Sequence, residues 1–66
     1  MTLQRFIIHS RVHAAARELT QSNRPMAQIA LMFGFSDQSA FSNTFKRVIG
    51  VAPSDYRKQY LQEFTH

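Results

Sequence analysis

The 66-residue chain has no cysteine, which excludes a disulfide framework and a thiolate zinc site, the staples that small domains often borrow. Stability must come from packing or from a partner. No apolar run approaches the ~18 residues that a bilayer-spanning helix needs, and Met1 to Ser10 has neither the apolar stretch nor the small-residue cleavage site of a signal peptide. A reducing cytoplasm is the expected compartment, with no membrane contact. Carboxylates number only four and are scattered, and no serine has a paired base, so no nucleophile, base and orienter can be assembled. The chain reads as a non-enzyme with no cofactor. His9 and His13 are spaced i, i+4, a geometry that can chelate a metal. Ser10, however, stands where a metalloprotease helix would carry Glu and no third ligand is near in spacing, so no metal site is expected.

What is present suits one small domain spanning residues 1–66. Apolar types make up 44% and charged types 18%, enough hydrophobic material for a core and too little charge for the disordered class. Eight Lys and Arg against four Asp and Glu give a net charge of +4 and a pI near 10.4. That balance favours a polyanionic partner, although acidic proteins or anionic lipid would also suit it.

Glycine and proline number two each, so breaks are sparse: Asn23 to Pro25, Gly34, and Gly50 to Pro53. Between them the apolar residues recur at helical spacing, which predicts four helices and no strand. The first runs from about Leu3 to Thr20 with Thr2 as N-cap, and the second from about Met26 to Phe33, closing at Gly34. The third runs from Asp37 to Val48 with Ser36 as N-cap, and Gly50 ends it. The fourth opens on Pro53 and carries Tyr56, Tyr60 and Phe64 as a core-facing stripe. At about 100° per residue, Phe41, Phe45 and Val48 of the third helix fall within ~60° of one another, while Ser39, Ser42, Asn43 and Lys46 lie opposite. That polar face holds Ser, Asn and Gln, indifferent helix formers but good hydrogen-bonding partners for base edges and phosphates. The second and third helices, joined by Gly34, Phe35, Ser36 and Asp37, have the length, the glycine and the small Ala30 of a helix-turn-helix, with Ile29, Phe33, Phe35, Phe41 and Phe45 filling the angle between them. Spacing alone fits a plain helical hairpin equally well.

The run Ile29-Ala30-Leu31-Met32-Phe33-Gly34-Phe35-Ser36-Asp37-Gln38-Ser39-Ala40-Phe41-Ser42-Asn43-Thr44-Phe45-Lys46-Arg47, followed by Gly50-Val51-Ala52-Pro53-Ser54-Asp55-Tyr56-Arg57, closely resembles the signature of the AraC/XylS family of bacterial transcription regulators. Upstream, Arg11 to Leu19 looks like the family's connecting helix, and the likeness covers about Phe6 to Arg57. The resemblance implies an all-α, four-helix, homeodomain-like helix-turn-helix domain that corresponds to the connecting helix and the second of the family's two units, without the first unit or an effector-binding domain. Its implied function is sequence-specific binding of double-stranded DNA in transcriptional regulation, with a recognition helix at about 37–48. By position, Gln38, Ser39, Ser42 and Asn43 would approach base edges, and Arg11, Ser36, Thr44, Lys46 and Arg47 would contact phosphates. Phe35, Phe41, Phe45 and Tyr56 are assigned to the core rather than to base stacking. Ala52 departs from the family's usual Ser or Thr before the proline, which removes a cap worth ~1 kcal/mol.

The first helix carries a surplus. Ile8, Val12, Ala15 and Leu19 form one stripe, while Leu3, Ile7, Ser10 and Ala14 form a second about 180° away. A helix in so small a bundle needs one stripe, so the second supports an alternative function, a helical protein-interaction fragment that associates through this exposed stripe and binds DNA only weakly or non-specifically. It also supports a weak homodimer through Leu3, Ile7 and Ala14. No small-molecule effector site is expected in this chain.

Overall fold

The computed structural model describes the backbone of residues 2–64 and the side chains as far as Tyr60. It contains helices α1 (Leu3–Gln21), α2 (Met26–Met32), α3 (Gln38–Ile49) and α4 (Pro53–Phe64), and no strand among the described residues. The longest helix is also the spine, because α1 packs against each of the other three.

Local chemistry sets each boundary. Thr2 caps α1 as expected, its hydroxyl oxygen accepting from the Arg5 amide at 3.2 Å. α1 ends one residue later than anticipated, at an extended Ser22 whose amide donates to the Glu18 carbonyl. α2 is one residue shorter than its sequence suggests, with Phe33 as C-cap. Gly34 follows at φ 87, its amide donating to Leu31, and the Phe35 amide donates to Ala30. These two bonds form a Schellman closure, in which the left-handed residue is usually glycine. Gly50 closes α3 at φ 103 with its amide bonded to Lys46. Pro53 is the first residue of α4. The preceding Ala52 offers its carbonyl to the Tyr56 amide but has no side-chain oxygen with which to cap.

One cap differs from expectation. Ser36 is not the N-cap of α3; Asp37 is, with Oδ1 accepting from the Ala40 amide at 2.8 Å and a fully extended backbone (φ −159, ψ 178). The helix expected at about 37–48 therefore runs from Gln38 to Ile49, and five residues separate it from α2. A carboxylate outcompetes a hydroxyl here because it also meets the positive end of the helix dipole.

Val12, Ala15, Ala16 and Leu19 of α1 are buried together with Ile29, Ala30, Phe41 and Phe45, and Ile8, Phe33, Phe35, Val48 and Tyr56 pack around them. The rings form a chain through this core. Phe35 meets Phe41 at 5.3 Å between centroids, Phe41 meets Phe45 at 5.6 Å, and Phe45 meets Tyr56 at 5.5 Å, all tilted or edge-on. Such pairs contribute about 0.5–1.5 kcal/mol each beyond burial, and this chain ties the turn, α3 and α4 into one unit. Tyr60 is half-buried in keeping with the expected stripe; Phe64 lies outside the described side chains.

Arg57, for which the sequence suggested no role, closes the structure between distant segments. Its Nε donates to the Leu19 carbonyl (3.0 Å), Nη1 to Arg24 (2.9 Å) and Nη2 to Ser22 (3.2 Å). One guanidinium thus gathers carbonyls that the end of α1 and the following loop leave without helical partners.

Candidate nucleic-acid interface

With Phe41 and Phe45 fully buried, the opposite side of α3 faces outward. Gln38, Ser39, Asn43, Lys46 and Arg47 are exposed, and Ser42 and Thr44 are half-buried. Along this helix Ser39, Ser42, Asn43 and Lys46 form a continuous row at i, i+3, i+4 and i+7. The row presents hydroxyls and an amide first and a cation last, with Lys46 and Arg47 in the final turn where positive charge complements the helix dipole. The nearest acid, Asp37, is occupied as the cap. Gln38 stands at the first turn, where an amide side chain projects from the helix end that helix-turn-helix proteins present to bases.

The remaining sequence-derived positions flank this row. Ser36 is exposed in the turn. Arg11 reaches over from α1 to the same turn: its guanidinium carbon lies 3.3 Å from where a Cβ on Gly34 would stand. The positive φ is what favours glycine here; the exposed Arg11 side chain could give by the few tenths of an ångström that a Cβ would need. Thr44 and Arg47 stand at the edge of this row, where with Arg5, Ile8, His9 and Val48 they line a groove of about 350 Å³ between α1 and α3. Arg5 was not singled out by sequence and His9 only as half of a metal pair that was set aside, since the groove exists only once two helices are packed.

On α1, Val12, Ala15 and Leu19 are buried and Ile8 packs against them, as the first stripe anticipates. Of the second stripe, Leu3 is 75% exposed, Ile7 40%, and Ala14 half-buried; Phe6, beside them, is 60% exposed.

A family model for a helix-turn-helix domain matches residues 1–59. The chain is 43% identical over 53 residues to a Streptomyces lividans protein named as an AraC-like transcription regulator, a match covering 80% of this chain and 17% of that protein. It is 41% identical over 56 residues to the regulatory protein SoxS of Salmonella typhimurium, covering 85% of this chain and 52% of SoxS. With the transcriptional activator AarP of Providencia stuartii it shares 39% over 57 residues, 86% of this chain and 42% of AarP. The chain thus spans from about a sixth to about half of the length of these relatives. No solved structure matches it. The packed hairpin of α2 and α3, the Schellman turn at Gly34 and these relatives agree: the chain belongs to the AraC/XylS-type family of bacterial, DNA-binding helix-turn-helix regulators, which are not enzymes.

Proposed function

We propose that the chain binds double-stranded DNA in a sequence-specific manner in transcriptional regulation, in the cytoplasm on the nucleoid, with α3 as its recognition helix. One observation carries this reading: the face of α3 opposite its buried phenylalanines is built of amides and hydroxyls and ends in two cations. A merely solvated face would favour Glu and Lys, which form helices better than Ser and Asn. Gln38 and Asn43 read adenine through bidentate amide pairs, and Ser39 and Ser42 supply adaptable contacts to bases. Arg11, Ser36, Thr44, Lys46 and Arg47 hold phosphates and fix the register of the helix in the major groove. The whole of residues 1–66 acts as one domain, and it holds no effector site.

Binding selections on random duplexes test the assignment. Asn43→Ala and Gln38→Ala are each expected to alter the preferred duplex, since a good bidentate pair carries ~1–3 kcal/mol of discrimination. Lys46→Gln is expected to weaken binding to all duplexes alike and to lower the log–log salt slope by about one. Unchanged preference in both alanine variants would refute the readout.

The exposed Leu3, Phe6 and Ile7 favour a second reading beside the first. Leaving large aliphatic side chains in water forfeits ~1.5–3 kcal/mol each relative to burial, so the chain pairs weakly with a second copy along Leu3, Ile7 and Ala14, in the isologous manner commonest for homodimers. If that contact outweighs DNA binding, the chain is foremost an interaction fragment. Sedimentation over a concentration series is expected to show a rising mass that Ile7→Asp abolishes. A monomer at every concentration, unaffected by Ile7→Asp, would exclude it.

A further inference from the structure

The groove between α1 and α3 is lined by three basic side chains, Arg5, His9 and Arg47, by the aliphatic Ile8 and Val48, and by Thr44. None of these six is acidic. The one ion pair among the described residues, Arg24 with Glu18 at 3.2 Å, is formed by other residues, so no described carboxylate is in contact with Arg5, His9 or Arg47. Arg5 and His9 sit at i, i+4 on one face of α1, and Arg47 faces them from α3. Arg47 also follows Asn43 by four residues, a rise of about 6 Å along the helix, so the groove borders the row that faces bases. Its 350 Å³ is the space of about a dozen water molecules, more than a bare tetrahedral anion fills.

We infer that this groove seats a sugar–phosphate unit of the duplex backbone, with Arg5, His9 and Arg47 donating to the phosphate oxygens and Ile8 and Val48 lying under the deoxyribose. The inference rests on the DNA-binding reading above and extends it: beside Arg11, two further residues of α1, Arg5 and His9, hold the duplex backbone and help to set the register of the recognition helix. The chemistry fits each component. Guanidinium groups match phosphate oxygens in pairs, an imidazole N–H supplies a further donor, and the aliphatic lining suits sugar carbons. A guanine edge would also accept from a guanidinium, but two guanidinium groups and an imidazole lining one groove suit an anionic group better than a neutral base.

The test is duplex binding by Arg5→Gln and His9→Ala across a salt series, with Lys46→Gln and Asn43→Ala alongside and melting followed for each variant. Arg5→Gln is expected to flatten the log–log slope by about 0.9, which corresponds to roughly eightfold weaker binding at 0.1 M salt when the lines are extrapolated to meet at 1 M. Arg5→Lys should retain the parental slope, His9→Ala should weaken preferred and random duplexes equally, and none of the three should alter sequence preference or melting. If Arg5→Gln keeps the parental slope and affinity while Lys46→Gln flattens it, the groove does not meet DNA and the inference fails with the proposed function intact. If Lys46→Gln and Asn43→Ala are both silent, the function fails and carries this inference with it. If deoxyribose 5-phosphate shifts the amide resonances of α1 and α3 while Arg5→Gln leaves duplex binding unchanged, the groove belongs to a free sugar phosphate and the inference is overturned.

Discussion

Phe45→Ala is expected to cost about 3–5 kcal/mol, enough to leave the chain largely unfolded at room temperature. Phe45 is fully buried and occupies the middle of the ring chain, touching Phe41 on its own helix and Tyr56 on α4. Truncation opens a cavity and removes two edge-on aromatic contacts at once. A domain of this size holds on the order of 3–10 kcal/mol in total, at roughly 0.05–0.15 kcal/mol per residue. The loss is therefore comparable with the whole, and thermal melting by circular dichroism should show little cooperative transition. A sharp melt within a few degrees of the parent would mean that the rings of Phe41 and Tyr56 collapse into the space, and that the chain of rings is not what joins α3 to α4.

Arg57→Leu is expected to destabilise by about 2–3 kcal/mol, because it strands carbonyls that accepted charge-assisted bonds. Two of the three acceptor interactions, to Leu19 and Ser22, are partly buried, while that to Arg24 is exposed and contributes less. At 4–8 °C per kcal/mol for a domain of this size, the melting temperature should fall by roughly 10–20 °C. Arg57→Lys should recover only part of this, since an ammonium has no planar fork with which to reach three oxygens. Equal melting of Arg57→Leu and the parent would show that water satisfies these carbonyls as well as the guanidinium does.

These two residues also mark what the sequence discloses. Phe45 is legible because its role follows from period: with Phe41 and Val48 it recurs on one face of α3, and local geometry carries that face into the core. The four helices, Thr2 as a cap, and the glycines at the ends of α2 and α3 are legible for the same reason, each being settled within a few residues of chain. The cap of α3 is not, because Ser36 and Asp37 are both good caps and adjacent, and the dipole term that favours the carboxylate is too small to read from residue type alone. Arg57 was not, because its acceptors lie 33 to 38 residues away and no periodicity spans that separation. For the candidate interface, the outward row on α3 is visible in the sequence, whereas the groove is not: Arg5 and His9 meet Arg47 only when α1 crosses α3.

The two sides of α3 share no residue. Phe41 and Phe45 answer to the core, while Gln38, Ser39 and Asn43 answer to nothing else in the described structure, and the cap that starts the helix is supplied by Asp37. Exchanges at such exposed positions usually alter stability by no more than about 0.5 kcal/mol. A lineage carrying this hairpin can accordingly try new side chains opposite its phenylalanines without approaching the threshold at which a marginal domain unfolds. Descendants can diverge in the duplex they prefer while the scaffold beneath stays recognisably the same.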